Sequence, residues 1–311
     1  MPALIALDWG TSSLRGYLLG KNGEILESRQ ADRGILKVTD GAFAATYLEF
    51  CSGWGDLPAI ASGMIGSKQG WKEAPYVPAP ASLQQIVAGL VSVDIPGHKP
   101  LRSVPGVSCR DQYGVPDVMR GEETQLFGAL AGASGPARSF VLPGTHSKWA
   151  VAGPDGIERF STFMTGEVFA VMRAHSILGR LMPEASVVAA DDGFRRGANS
   201  ALHGGGGDLL HRMFSVRTLG LFNDVPAAQL ASYMSGLLIG EEVFAARAAR
   251  LLPEAGAVGI IGDAALADLY RVVLEMADVE SLVLPTDLAA RGLWQIAILA
   301  ARPLDLKLEL P

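Results

Sequence analysis

The hydrophobic and polar positions of the chain follow two patterns. Residues 3–8, 14–20 and 24–30 are short apolar runs separated by polar turns, which predicts three strands of a meander. Residues 173–250 carry apolar positions mainly at helical spacing, which predicts a helical region. Because strands and helices both contribute, the chain is predicted to be an α/β protein.

The same patterns place most of the other elements. Further helices are predicted at 41–53, 82–89, 119–130, 264–275 and 286–301. Further strands are predicted at 58–62, 101–104, 157–161, 257–261 and 280–284, with a hairpin at 139–151 and an irregular segment at 107–116. A chain of 311 residues is long for one hydrophobic core, so we expect two domains, at 1–135 and 136–311.

The turn after the first strand carries groups that suit a phosphate chain and its metal ion. Gly10 lets the backbone approach closely, and the hydroxyls of Thr11 and Ser12 can donate hydrogen bonds to phosphate oxygens. Asp8 can hold Mg²⁺, and Arg15 can add a charge-assisted contact. The alternative is a hairpin turn that is simply polar.

A second copy of this turn lies in the other half of the chain. Gly144-Thr145-His146-Ser147 aligns with residues 10–13, is again flanked by apolar runs, and is followed by the cation Lys148. Two such hairpins are more specific than either alone, and they predict a duplicated architecture with a nucleotide held between its halves.

The helix predicted at 119–130 begins with two acids, Glu122 and Glu123. Acids in a first helical turn stabilise the helix dipole by about 0.3–1 kcal/mol, which is one interpretation. The other is that one carboxylate accepts the proton of a substrate hydroxyl during phosphoryl transfer. We predict the second role for one of the two, with Glu122 favoured over Glu123, and the sequence leaves the choice between them open.

Two segments that follow strands are candidate substrate sites, because such loops bind ligands in α/β folds. The first offers Ser62, Met64, Gly66, Ser67, Lys68 and Trp71, and the second offers Thr165 and Glu167. The simpler interpretations are a solvated loop in the first case and an ordinary helix cap at Thr165 in the second.

Two other segments could contact a nucleotide. Gly262 and Asp263 lie between a strand and a helix, where a glycine turn can accept a nucleotide's phosphate or sugar. Ser235, Gly236 and Gly240 permit close approach of another backbone or of a flat ring, and close helix packing is the commoner reason.

Composition narrows the function classes. The net charge of −6 and the lack of a Lys/Arg run argue against a nucleic-acid surface. No apolar run is long enough to span a bilayer. We expect Cys51 and Cys109 to be reduced thiols of a cytoplasmic protein. The oligomeric state stays open, a homodimer included.

Several of these stretches resemble a known superfamily. The carrying segments are residues 6–12, 62–67, 121–128, 142–149, 163–167 and 233–240, with Leu-Pro-Gly-Thr-His-Ser-Lys-Trp as the most distinctive string. They resemble the phosphate-1, phosphate-2 and adenosine segments of the actin-like ATPase superfamily of sugar kinases, Hsp70 and actin. Within it, the chain resembles the 2-dehydro-3-deoxygalactonokinase family over nearly its whole length.

The resemblance implies two ribonuclease-H-like domains flanking a nucleotide cleft. It implies ATP- and Mg²⁺-dependent phosphorylation of the terminal hydroxyl of 2-dehydro-3-deoxy-D-galactonate, a step of galactonate breakdown. It also implies roles for individual residues: Asp8 for Mg²⁺, Thr11 and Ser12 for the phosphates, Gly144 and Thr145 for their opposite side, and Gly262 for the nucleoside. The larger sugar kinases often have an Asp base where this chain has Glu122.

The sequence leaves some alternatives open. The carboxylate of a keto-acid substrate needs a cation or N–H donors, and spacing does not choose among Lys68, Lys72, Arg102 and Arg110. A phosphohydrolase of the exopolyphosphatase-like branch would use a similar Gly-Glu-Glu helix with water as acceptor. A non-catalytic nucleotide-binding protein of the actin or Hsp70 kind would bind ATP without phosphorylating an acceptor.

Overall fold

The computed structural model describes residues 1–131, 138–204 and 208–301. The chain divides into two units, and segments distant in sequence come together in each. As far as they are described, the first unit comprises Met1–Ala137, Ala152–Arg159 and Asp287–Pro311, and the second comprises Arg138–Val151 and Phe160–Thr286. The chain therefore crosses from one unit to the other several times.

The strands and helices agree with most of the predicted segments. The strands are β1 (Pro2–Trp9), β2 (Leu14–Gly20), β3 (Ile25–Ala31), β4 (Ala59–Ser62), β5 (Tyr76–Pro78), β6 (Val91–Val93), β7 (Leu101–Ser103), β8 (Gly106–Arg110), β9 (Pro116–Met119), β10 (Arg138–Leu142), β11 (Ser147–Gly153), β12 (Gly156–Phe163), β13 (Val258–Ile260) and β14 (Ser281–Val283). The helices are α1 (Phe43–Phe50), α2 (Leu83–Ala88), α3 (Glu122–Leu130), α4 (Thr165–His175), α5 (Asp192–Leu202), α6 (Leu209–Leu221), α7 (Leu230–Ala248), α8 (Ala264–Met276) and α9 (Leu288–Ala301).

The main sheet of the first unit has the strand order β3-β2-β1-β4-β7-β6. The N-terminal meander supplies β1, β2 and β3 in antiparallel pairs, and β4 and β7 continue parallel to β1. The register sets Asp8 opposite Arg15 on β2 and opposite Ser62 on β4. Because β1 and β4 are parallel, their carboxyl ends meet at one edge of the sheet, where ligands bind in such folds.

The sheet of the second unit repeats this topology. Its order is β12-β11-β10-β13-β14, which matches β3-β2-β1-β4-β7 strand for strand. Three consecutive strands stand side by side in each case, followed by two strands parallel to the first of them. The repeated topology confirms the duplication that the two similar hairpins predicted.

Each unit has its own hydrophobic core. In the first, Trp9 is fully buried and Phe43 of α1 packs edge-on against it, while Trp71 stacks on Phe43 at 6.2 Å. In the second, α7 is buried along most of its length and packs against α5. A Cβ atom added to Gly236 would lie 2.0 Å from the Phe194 carbonyl oxygen, so the small residues of α7 serve close helix packing.

Two local expectations were wrong. Residues 107–116 are not irregular, because most of them form β8 and the turn to β9, with Asp111 Oδ1 accepting hydrogen bonds from the amides of Tyr113 and Val115. Thr165 is not a cap, because α4 begins at Thr165 and Met164 occupies the cap position. In the first of these places a side-chain acceptor, Asp111 Oδ1, shapes the turn, and the apolar pattern did not show it.

The units also differ from the expected division at 1–135 and 136–311. That junction lies outside the described residues, and α9 belongs to the first unit instead of the second. Helix α9 packs closely on α3: a Cβ atom on Gly128 would lie 2.0 Å from the Leu288 carbonyl oxygen, and one on Gly292 would lie 1.8 Å from that of Thr124. Among the described helices, none combines the length and apolar character needed to cross a membrane.

Candidate active site

Asp8 lies at the end of β1, and its side chain is 17% exposed. Arg15 Nη1 is 4.0 Å from Asp8 Oδ2. Burial raises the pKa of Asp8 to about 6, against the lowering effect of Arg15, and the charge of Glu122 raises it further. The electrostatic effect of Glu122 indicates that the two predicted catalytic acids share one region of the first unit.

The turn after Asp8 is held in place by backbone hydrogen bonds. The amide of Gly10 donates to the Ser13 carbonyl at 2.9 Å. The carbonyls of Gly10, Thr11 and Ser12 accept from the amides at residues 35, 36 and 34. The side chains of Thr11 and Ser12 are not buried, so both hydroxyls can reach a ligand.

Two glycines bring the start of α3 to the ends of β1 and β4. Gly63 follows β4 with φ of +94°, and a Cβ atom there would lie 2.8 Å from the Trp9 carbonyl oxygen and 3.4 Å from Asp8 Oδ1. Gly121 precedes α3 with φ of +113°, and its added Cβ atom would lie 3.2 Å from the Gly63 Cα atom. Backbone contact at glycine therefore places Glu122 in the same region as Asp8.

The two acids of α3 have different surroundings. Glu123 is fully buried, and its Oε2 atom accepts a 2.6 Å hydrogen bond from the Gly121 amide. Burial raises the pKa of Glu123 to about 8, and the neighbouring charge of Glu122 raises it further. Glu122 is half-buried, and its Oε2 atom accepts from the Arg120 amide at 3.0 Å. Only Glu122 keeps exposed surface that a substrate could contact.

The structure separates the predicted residues of the first substrate segment into three groups. Ser62, Gly66 and Ser67 are buried, and Ser62 Oγ accepts a hydrogen bond from Thr124 Oγ1 at 3.3 Å. Met64 and Trp71 pack against the hydrophobic core. Lys68 is exposed, so it is the member of the set whose side chain can reach a ligand directly.

Sequence reasoning missed Arg120, which precedes Gly121. Its guanidinium stacks on the Tyr76 ring at 4.2 Å, and its Nη2 atom donates to the Ala74 carbonyl at 2.9 Å. The side chain is buried and ties the segment before β5 to the start of α3. Only its position one residue before the Gly-Glu-Glu string could have drawn attention to it.

The second unit places its Gly-Thr turn against the start of α4. The amide of Glu167 donates to the Thr145 carbonyl at 3.0 Å. A Cβ atom on Gly166 would lie 2.4 Å from the Gly144 carbonyl oxygen, so only glycine permits this approach. The exposed side chain of His146 pairs with Glu167. The predicted residues Thr165 and Glu167 therefore lie with the second turn.

A cavity of about 320 Å³ opens beside this turn, within the second unit. Its wall is mostly apolar, with a few hydroxyl groups, as in sites for small molecules. The lining residues are Gly144, Thr145, Thr165, Gly166, Phe169, Val188, Ser235, Leu238, Ile239, Leu266, Leu269 and Tyr270. An apolar slot that ends at a glycine turn has the character that a nucleoside with its phosphates requires.

Four predicted nucleotide-binding residues are not among those that line the cavity. Ser147 is fully buried and donates to Glu242 Oε1 at 2.7 Å, so its hydroxyl does not face a ligand. Lys148 is also buried, and its Nζ atom donates to Thr162 Oγ1 at 2.7 Å. Asp263 caps α8 through its Oδ1 atom, and Gly262 lies next to Pro143.

The repeated topology is that of the actin-like ATPase fold, and the family match makes the chain a kinase of that fold. A sequence profile described as 2-keto-3-deoxy-galactonokinase matches residues 8–296. The chain therefore belongs to the 2-keto-3-deoxy-galactonokinase family.

Similar proteins carry the same name. The chain is 39% identical over 249 residues to the 2-dehydro-3-deoxygalactonokinase of Escherichia coli (strain K12), which covers 78% of this chain and 80% of that protein. It is 37% identical to a Rhizobium meliloti (strain 1021) protein named as a probable 2-dehydro-3-deoxygalactonokinase. That alignment spans 302 residues, which are 96% of this chain and 97% of the relative. A crystal structure of a Sinorhizobium meliloti protein given the same enzyme name superposes with a TM-score of 0.86, at 36% identity and 97% coverage of both chains.

Proposed function

We propose that this protein transfers the γ-phosphoryl group of ATP to the terminal hydroxyl of 2-dehydro-3-deoxy-D-galactonate. The single observation that carries the catalytic part is the grouping of Asp8 and Glu122 at the Gly63–Gly121 contact. The substrate assignment is supported by the names of the relatives. ATP consumption also favours a cytoplasmic location.

In the proposed step, Glu122 accepts the proton of the substrate hydroxyl. A bond forms between that hydroxyl oxygen and the γ-phosphorus, the bond from the γ-phosphorus to the bridging oxygen breaks, and ADP leaves with that oxygen. Glu123 does not compete for this role, because it is fully buried and already accepts from the Gly121 amide. Its raised pKa keeps it largely protonated at neutral pH.

Asp8 fits Mg²⁺, because a carboxylate with partial exposure at a strand end is a hard oxygen ligand. The described residues contain no group of three or more acidic, histidine or cysteine side chains that could enclose a metal ion. Mg²⁺ in kinase sites is bound through one or two carboxylates plus phosphate oxygens and water, which agrees with this donor set. When bound, Mg²⁺ neutralises charge on the transferring phosphates.

The nucleotide is assigned to the second unit. We place the purine and ribose in the cavity lined by α4, α7 and α8, with the phosphates toward Gly144 and Thr145. The apolar residues Phe169, Leu238 and Leu266 suit the faces of a flat ring. In the first unit, the exposed hydroxyls of Thr11 and Ser12 are the proposed donors to phosphate oxygens.

We assign the substrate carboxylate to Lys68. Among the four cations considered, Lys72 donates to the Ser92 carbonyl at 2.8 Å and Arg110 to the Gly114 carbonyl at 2.6 Å. Arg102 lies in the middle of β7, paired with β6 and β4. Lys68 is exposed in the segment that follows Gly63, so a carboxylate near Glu122 has a cation on the adjoining loop.

A coupled assay of ADP release with a panel of 2-keto-3-deoxy sugar acids tests the proposal. We expect ADP release only when a sugar acid is present, with the galactonate-derived acid preferred over its gluconate-derived epimer. Phosphate release without a sugar acid would favour the phosphohydrolase, and ATP binding without turnover would favour the non-catalytic protein. Either result would overturn the proposal.

A further inference from the structure

Helix α7 carries a buried carboxylate, Glu242, to which neither the sequence pattern nor the mechanism gives a role. The residue is 3% exposed. Its Oε1 atom accepts hydrogen bonds from Ser147 Oγ and Trp149 Nε1, each at 2.7 Å. Its Oε2 atom accepts from Tyr270 OH at 2.7 Å and from Thr165 Oγ1. Four donors therefore surround one carboxylate.

The donor set identifies what the carboxylate does. The indole N–H of Trp149 can only donate, so Glu242 Oε1 has to be an acceptor. Burial raises the pKa of Glu242, whereas the hydrogen bonds from the four donors lower it. Since the donors come from β11, α4 and α8, the carboxylate joins three elements to α7 at one point.

These elements form the wall of the cavity beside the second turn. Thr165 and Tyr270 line the cavity themselves, and Ser147 lies two residues after the lining residue Thr145. On α7, Leu238 also lines the cavity, and it lies one helical turn before Glu242. Glu242 itself is not among the lining residues.

We infer that Glu242 is a positioning residue for nucleotide binding, which holds the hydroxyls of Thr165 and Tyr270 and the turn at Gly144–Thr145 in the geometry that ATP requires. A cavity whose polar groups are already fixed loses less conformational freedom when a ligand binds, so its affinity is higher. The inference rests on the proposed function, because it takes the cavity to be the nucleotide site.

The test measures ADP affinity by calorimetry and the two KM values by kinetics in folded variants. Glu242→Gln keeps the shape of the side chain but replaces one acceptor oxygen with an NH₂ group, which cannot accept from the donors around it. Ser147→Ala removes one donor without changing the cavity wall. We expect Glu242→Gln to weaken ADP binding about ten-fold or more and Ser147→Ala to weaken it less. The KM for ATP should rise, while the KM for the sugar acid changes less than about two-fold.

Glu241→Gln is the matched control, because Glu241 is the preceding residue on α7 and does not line the cavity. It should bind ADP like the wild type.

A merely structural role of Glu242 predicts a lower melting temperature with unchanged ADP affinity of the folded protein, and this result would overturn the inference. If Glu242→Gln does not fold, Ser147→Ala tests the inference through its ADP affinity and its melting temperature. A wild-type protein that fails to bind ADP would instead refute the proposed function.

Discussion

The backbone of Gly121 lies against that of Gly63, so closely that a methyl group on Gly121 would be 3.2 Å from the Gly63 Cα atom. This contact joins the start of α3 to the end of β4. On one side of it Gly63 follows Ser62, the register partner of Asp8, and on the other side Gly121 precedes Glu122. The relative positions of the two proposed catalytic carboxylates therefore depend on the small size of two residues that carry no functional group.

We expect Gly63→Ala to lower the free energy of unfolding by about 1–3 kcal/mol more than a control at another left-handed glycine. The reason is steric, because the added methyl would lie 2.8 Å from the Trp9 carbonyl oxygen. Gly55→Ala is the control, since Gly55 has φ of +82° and no atom within 4 Å of its added Cβ. Urea denaturation measures both. Equal losses of unfolding free energy in the two variants would show that the close contact at Gly63 does not affect stability.

The two adjacent acids should respond differently to the same substitution. Glu122→Gln should lower kcat by about 10²-fold or more, because the amide cannot accept the substrate proton, while ADP still binds. Glu123→Gln should change kcat only a few-fold, because the buried group is already protonated at neutral pH. Steady-state kinetics with the sugar acid checks both. Turnover near the wild-type value in Glu122→Gln would exclude that residue as the base.

Glu123 should make stability depend on pH. Its pKa rises from 4.5 in the unfolded chain to about 8 in the folded protein. Between these values the folded state holds a proton that the unfolded state has released, so stability falls as pH rises. Relative to Glu123→Gln, the wild type should lose at most about 1.4 kcal/mol per pH unit in this range. Urea denaturation at pH 5, 6, 7 and 8 measures the difference. A constant difference between the two proteins would contradict the buried, protonated state.

Asp8→Asn should raise the Mg²⁺ concentration needed for half-maximal activity about ten-fold or more, because an amide oxygen carries no net charge for the ion. Asp32→Asn serves as the control, since Asp32 is highly exposed and pairs with Lys37 in the same unit. Activity measured over a range of Mg²⁺ concentrations gives the answer. The same Mg²⁺ dependence in Asp8→Asn and the control would rule out Asp8 as a ligand.

Lys68→Ala should raise the KM for the sugar acid about ten-fold and leave the KM for ATP near the wild-type value, because a charge-assisted hydrogen bond to the substrate is lost. Lys72→Ala removes a lysine of the same segment whose Nζ atom donates to the Ser92 carbonyl. It should leave both KM values close to those of the wild type. If Lys68→Ala has no effect on either KM, the substrate carboxylate binds elsewhere.

The sequence by itself determined the elements and the family. Apolar runs and turn residues predicted most strands and helices, because these depend on neighbours along the chain. The paired Gly-Thr turns predicted a duplicated architecture, and the matching strand orders of the two sheets confirm it. The motif strings were enough to recognise the family, whose profile matches residues 8–296.

Only the tertiary structure decided which side chains are accessible. Glu122 and Glu123 are adjacent and chemically alike, but packing around α3 buries one of them completely. Ser147 matches the phosphate motif and nevertheless donates to Glu242, which lies 95 residues further along the chain. Burial and hydrogen-bond partners are set by residues distant in sequence, and a local pattern carries no information about them.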